Sequence, residues 1–278
     1  WIGAGDNANA RISHSGKGVF KSIDGGRSWS HMGLDDSHHI ARIVIHPENP
    51  DLVYVAVIGH LFSRNSERGL FRTRDGGETW EKVLFICDDV GVVDLAIDRD
   101  RPERLYAASY QMERRPWTFD AGGPASAIHR SGDGGDSWQR LGNGLPAGDI
   151  GRIGLDIFRA NTDVVYAVFE NLNERPPTED EAARDREANK DPQPRPIGGE
   201  GYRSDDAGDT WRKTHGATTN VGGKAPYSFN QIFVDPNDDQ NVFVTSVRLA
   251  NSADGGRSWR DLEWDAKHLF RESFGDVR

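Results

Sequence analysis

Five copies of one octapeptide constrain this chain more than any other feature. Ser22-Ile-Asp-Gly-Gly-Arg-Ser-Trp29 is the first, followed by Thr73-Arg-Asp-Gly-Gly-Glu-Thr-Trp80 and Ser131-Gly-Asp-Gly-Gly-Asp-Ser-Trp138. Ser204-Asp-Asp-Ala-Gly-Asp-Thr-Trp211 puts Ala207 in place of the first Gly, and Ser252-Ala-Asp-Gly-Gly-Arg-Ser-Trp259 is the fifth copy. A repeat of this kind means an array of one supersecondary unit. Each copy lies between short apolar–polar alternations, such as Gly18-Val-Phe-Lys21 before the first. Asp-Gly-Gly between such runs predicts a tight hairpin, because Gly takes the positive φ the turn needs. The Asp carboxylate can accept nearby backbone N–H groups, as in Asx turns. The Trp opens the outgoing strand and is expected to bury its ring against the next unit.

A second signal alternates with the first. Residues 43–56, 95–108, 155–168 and 232–245 each read as an apolar strand, a turn rich in Pro, Asn and Asp, and a strand rich in Val and aromatic residues. These supply strands 1 and 2 of a unit whose strands 3 and 4 flank the octapeptide. The order is that of a β-propeller blade, so the predicted fold is all-β, with about five four-stranded antiparallel blades. They fall near residues 1–33, 38–86, 90–142, 150–215 and 228–263 of a single domain, or propeller fragment, spanning 1–278. Blade one lacks an inner strand, since Trp1-Ile-Gly-Ala-Gly5 reads as strand 2; a cut, a processed end or a leader would each give such a start. The tail after Trp264 either begins a sixth blade or closes the ring inside blade one. Open edges of such an array invite pairing, including self-association of two partial rings.

The octapeptide resembles the Asp box, or bacterial neuraminidase repeat. The resemblance implies a β-propeller with the box at the turn between strands 3 and 4. Sialidases, xyloglucan-cleaving glycosidases, sortilin-type receptor domains and photosystem II assembly factors share it. The context, as in Arg42-Ile-Val-Ile-His-Pro47 and Gly151-Arg-Ile-Gly-Leu155, is most similar to sortilin-like, "glycosyl hydrolase, Asp-box" proteins of bacteria. That implies a periplasmic or secreted location. It is specific for fold and leaves activity open.

Residues 171–200 break the pattern. They are charged, Pro-flanked and nearly free of large apolar side chains, so a flexible surface insertion is expected. Thr178-Glu-Asp-Glu181 has the form of a capping box and predicts a short helix over 178–189. A formal net charge of −10 argues against nucleic acid as the main partner. No apolar run approaches the roughly 20 residues of a membrane span. The lone Cys87 excludes an intrachain disulfide.

Strand alternation places turns 1–2 and 3–4, and hence the boxes, on one face of the ring. Loops 2–3 and 4–1 occupy the other. The irregular stretches 5–17, 58–69, 110–127 and 171–200 are all 2–3 loops, so ligand recognition is expected on the face away from the boxes. Asp24, Asp75, Asp133, Asp206 and Asp254 are expected to be structural, because a catalytic carboxylate is not needed five times at one turn. Trp29, Trp80, Trp138, Trp211 and Trp259 are expected to be core by the same reasoning.

Strand 1 of the blades offers Arg42, Asp94, Arg152, Asp156 and Gln231 near the axis. Asp94 and Asp156 are the candidate catalytic carboxylates, and Arg42 and Arg152 the candidates for a ligand carboxylate; mutual pairing is the structural alternative. In the 110–124 loop, Trp117 and Phe119 stand beside Arg114 and Arg115, and aromatic rings with forked guanidinium groups suit sugars or peptides. Trp117 could equally fold back over its blade. His60, Phe62, Arg64 and Arg68 are of similar type, as are Lys224 and Tyr227. Asp35, Asp36, His38 and His39, with Asp88 and Asp89, are ligand types suited to metal, but neighbouring residues on a strand point apart, so no metal or other cofactor is expected. A sialidase arginine triad is incomplete, and no Ser-His-Asp order, phosphate-binding loop or metalloprotease motif is present. The expectation is a non-catalytic propeller that binds a peptide, protein or glycan, with an Asp-box glycosidase as the alternative.

Overall fold

The computed structural model describes residues 1–262 apart from Arg11, Thr218, Gly223 and Lys224. The tail after Leu262 and the candidate Lys224 lie outside the described residues. The chain is a β-propeller of sequential antiparallel sheets. The first has three strands among the described residues, Ile2–Gly3, Val19–Lys21 and Ser30–His31. The second runs Ile40–Ile45, Val53–Val57, Gly69–Thr73, Glu81–Leu84. The third runs Val90–Ile97, Leu105–Gln111, Ile128–Ser131, Gln139–Arg140. The fourth is Ile150–Ile157, Val165–Arg175, Arg195–Ser204, Arg212–Lys213, and the fifth Gln231–Asp235, Asp238–Thr245, Leu249–Ser252, Arg260–Leu262. We call these blades one to five.

Apolar side chains collect between blades, one cluster per seam. Val19 and Leu34 meet Val53 and Phe71 between blades one and two. Tyr54 and Leu70 meet Leu95 and Leu105 in the next seam. Tyr106 and Ile128 meet Leu155 and Phe169, and Tyr166 and Val168 meet Ile232 and Val244. The seams are therefore the core, and each blade is stable only through its neighbours.

The boxes build their hairpins as the sequence predicts. In the first, Asp24 Oδ1 accepts from the Ser28 N–H at 2.9 Å and Oδ2 from the Ser28 hydroxyl at 2.6 Å. Ser22 Oγ accepts from the Gly26 N–H at 2.7 Å. The Ser28 hydroxyl contributes most to holding the Asp24 carboxyl down at about 2. Ala207 adopts the left-handed conformation of the Gly it replaces, with φ of 57°, at a cost of roughly 1–2 kcal/mol. Each box from blade two on is also latched to its own blade, at the 1–2 turn in blades two to four and at the start of strand 2 in blade five. The Gly76, Gly134, Ala207 and Gly255 N–H groups donate to the Asp51, Glu103, Asp163 and Gln240 carbonyls.

The Trp rings turn opposite to expectation. Trp80 Nε1 donates back to the Met32 carbonyl at 2.6 Å, and its ring meets Trp1 edge-on. Trp138 joins the seam with blade two, Trp211 that with blade three and Trp259 that with blade four. Each packs on the preceding blade. Trp29 has no described blade before it and remains 42% exposed, against 6% for Trp211.

Blade contacts also reach forward. Tyr54 Oη and Arg72 Nη1 both donate to the Gly134 carbonyl of the next box, at 2.8 and 2.6 Å. Tyr106 and Arg130 repeat this on Ala207, and Tyr166 reaches the Asp239 carbonyl. Lys21 does the same for Gly76 from blade one.

Two 2–3 stretches differ from the irregular loops expected. The 171–200 insertion is an ordered arm. Strands 2 and 3 of blade four continue pairing, past an irregularity, to Arg175 opposite Arg195. A helix at Glu179–Glu187, capped by Thr178 with Glu181 completing the box, joins them. Arg175 pairs with Glu181 and Arg195 with Asp185, so the charges that suggest a solvated loop bind the helix to the arm. In the 110–127 loop, Glu113–Arg114 and Phe119–Asp120 form a two-stranded ribbon.

Candidate functional site

The two candidate catalytic carboxylates are engaged within the ring. Asp94 is 4% exposed. Its Oδ1 accepts from the Leu95 N–H, its Oδ2 accepts at 2.9 Å from Leu155 N–H in the next blade, and Arg42 Nε lies 3.5 Å away. Asp156 likewise accepts from its neighbour Ile157 and, at 2.8 Å, from Val234 N–H of blade five. Burial raises both carboxyl pKa values. Their lone pairs splint one inner strand to the next rather than aim into a loop-lined cleft. Arg42 and Asp156 line a cavity of about 610 Å³ with His46, Arg99 and Arg159. These last three belong to the 1–2 turn side, so Arg42 is separated from the loop candidates.

Arg152 is 2% exposed, and its role is internal. Its Nη1 donates to the Asn7 carbonyl at 2.9 Å and the Tyr227 carbonyl at 3.0 Å. Ser228 Oγ donates to the Ala8 carbonyl, and Asn230 Nδ2 donates to the Arg152 carbonyl. The loop of blade one and the segment entering blade five thus meet on one guanidinium. Glu170 accepts from the Arg152 backbone N–H at 3.2 Å, and burial pushes its carboxyl from 4.5 up to about 7. The folded chain holds this proton more tightly than the unfolded chain. Stability from the neutral acid is complete below about 4.5 and is lost as pH rises through about 7. Glu170→Gln keeps the acceptor without the charge. It is expected to be more stable than wild type by about 3 kcal/mol at pH 8, with the difference shrinking towards pH 4.5 in urea titrations.

The remaining loop candidates come together on blades two and three. Arg114 is buried, its guanidinium 3.8 Å from the Phe119 ring centre and 5.7 Å from that of Tyr227. Its backbone N–H donates to the Leu61 carbonyl, which fixes the ribbon against the 58–69 loop. Arg68 is also internal, donating to the His60 and Ser63 carbonyls. Arg64 reaches Asp88, Asp89 and Glu113 at 3.6–3.7 Å, and Arg115 pairs with Glu113 at 2.9 Å. Trp117 stands at the ribbon tip, 77% exposed, with Phe62 also exposed. The tip is closed by the Arg115 N–H donating to the Thr118 carbonyl. So the ring does not fold back over its blade.

The acidic and histidine candidates regroup. His39 is buried, its Nδ1 2.8 Å from the Asp6 carbonyl, and Asp35 lies nearest His31. Asp88 and Asp89 face Arg64. Asp36 and His38 are joined instead by His60 from the neighbouring loop. The Tyr–Arg latches were missed as well, although a Tyr at 54, 106 and 166 and a basic residue just before four of the boxes are visible in the sequence.

Blades, seams and box turns define an Asp-box β-propeller. Residues 71–82 match the BNR/Asp-box repeat family. Among solved structures, the GH74 enzyme of Niastella koreensis aligns with a TM-score of 0.60 at 17% identity, covering 89% of this chain and 35% of that one. The GH74 xyloglucanase of Xanthomonas campestris aligns with a TM-score of 0.56 at 15% identity, covering 90% and 34%. An ancestral GH74 enzyme gives 0.58 at 16%, covering 92% and 30%. The chain thus spans about a third of the length of these enzymes, and at such identity the likeness is one of fold. No curated protein matches the sequence. No helix among the described residues is long and apolar enough to cross a membrane.

Proposed function

We propose that this chain is a non-catalytic binding propeller that holds a peptide, protein or glycan against the loop face of blades two and three. The observation that carries the reading is the display of Trp117. An indole 77% exposed sits on a ribbon whose strands are clasped by buried Arg114 over Phe119 and whose Arg114 N–H ties it to the Leu61 carbonyl. An exposed Trp on a rigid support offers a large stacking surface at little cost in ordering on binding. Arg64 and Arg115 both meet Glu113 of the ribbon, and the 58–69 loop exposes Phe62, so a ligand carboxylate competing with Glu113 would find guanidinium forks and a second apolar surface on this face. An exported location, periplasmic or secreted, belongs to the same reading, as does its likeness to sortilin-like bacterial propellers.

Binding to peptide and glycan arrays tests the proposal. Trp117→Ala is expected to weaken binding of any ligand found by at least tenfold, with the melting temperature unchanged. Glycoside hydrolysis is the competing reading, supported by the GH74 likeness of fold alone. Turnover of a glycoside panel that disappears in Asp94→Asn or Asp156→Asn would establish it and overturn the binding reading. The bonds those carboxylates make to neighbouring blades support the opposite result.

A further inference from the structure

A second constellation lies beside this face and is independent of the binding reading. Asp36 and His38 belong to the segment entering blade two, and His60 to the 2–3 loop of that blade. Their ligand atoms all lie within 4.8 Å of one another. Asp36 Oδ1 is 2.8 Å from His60 Nε2 and 3.9 Å from His38 Nε2. The two imidazoles stack with centres 3.6 Å apart and planes inclined by 19°.

The surroundings hold this arrangement from several sides. His38 adopts a left-handed backbone, φ of 52°, and its carbonyl accepts from the Gly16 N–H at 2.7 Å. A non-Gly residue in that conformation is strained and persists where its surroundings over-determine it. His60 Nδ1 lies 2.8 Å from Ser63 Oγ. Asn65 donates to the Asp36 carbonyl at 2.8 Å and accepts from the His60 N–H at 3.0 Å, tying the two segments together. Partners of this kind orient metal ligands and set the histidine tautomer. Burial, with the neighbouring His60, holds the His38 pKa below its usual value, which favours a neutral ligand.

We propose that Asp36, His38 and His60 bind one divalent first-row transition ion, zinc being the probe of choice. Two imidazoles and one carboxylate are zinc-type ligands, and three protein ligands leave a fourth position open to solvent. Ligand atoms on a tetrahedral zinc stand about 3.3 Å apart, between the two distances observed. The rings splay from their stack to direct both Nε2 lone pairs at the ion. With Nε2 on the ion, His60 Nδ1–H would donate to Ser63 Oγ, 2.8 Å away. The ion would fasten the entrance of blade two to its 2–3 loop.

Calorimetric titration of the tag-free, chelator-treated chain with zinc at neutral pH tests the site. The expected result is one equivalent bound, with a higher melting temperature. His38→Ala and His60→Gln should each weaken binding at least tenfold, whereas His14→Ala should leave it unchanged. Cobalt substitution should give a visible d–d absorption that is lost in both variants. Asp36→Asn, with its metal-free melting temperature measured, separates loss of a ligand from loss of fold. The proposal is overturned if no equivalent binds, or if binding survives unchanged in the folded His38 and His60 variants.

Discussion

Arg152→Ala is expected to unfold at markedly lower urea than wild type, having lost about 3–5 kcal/mol, the usual cost of removing one member of a buried charged network. The guanidinium is 2% exposed and ties the Asn7 and Tyr227 carbonyls, which enter from opposite ends of the chain. Its loss takes a donor from the Asn7 carbonyl, leaves the Tyr227 carbonyl only the Asn9 side-chain amide at 3.4 Å, and removes the positive charge beside Glu170. Arg152→Lys should recover only part of the loss, because an ammonium cannot present the planar fork. Equilibrium urea curves give the energy. Limited proteolysis should show earlier cleavage within residues 5–17 in the alanine variant, since that loop then loses one of its anchors. Wild-type stability in Arg152→Ala would show that Arg152 is not what holds those segments.

The second large effect is a contrast between equivalent positions. Trp211→Ala should cost about 3–5 kcal/mol, as expected for a buried Trp, while Trp29→Ala should cost under about 1 kcal/mol, in the range of surface substitutions. The two residues occupy the same place in the box, and both indoles donate to the carbonyl of their own box, at Gly208 and Gly26. They differ in the neighbour. Trp211 closes the seam with blade three, whereas Trp29 has no described blade to pack on. Thermal melts of the two variants measure the difference. Equal losses would mean that the Trp acts within its own hairpin and not across a seam.

How much of this was legible follows from the range of each interaction. The hairpin bonds of Asp24 span at most four residues, so the motif contains the whole structure. The Thr178 capping box is equally local. The direction of the Trp rings is a relation between blades, and the octapeptide is the same whether its Trp meets the preceding blade or the following one. The blade four arm was hidden because its pairing joins residues some twenty to forty apart, across a charged segment that looks solvated in isolation. For the site, Trp117 could be read from its sequence as unneeded by the blade, but its exposure depends on where Arg114 anchors the ribbon. His60 is 24 residues from Asp36 and enters only once the two loops lie side by side. Asp94 and Asp156 read as axial carboxylates, yet their partners are amides of the next blade, which no local pattern identifies.

The forward reach of Tyr54, Tyr106 and Tyr166 gives the ring a polarity in time. A hairpin leaving the ribosome meets tyrosine and basic side chains on a blade already made, and an exposed seam ready to take its Trp. Since chains are synthesised from the amino end and fold in that order, each clasp exists before the carbonyl it must hold. Growth from the opposite end would present every turn before its fastener.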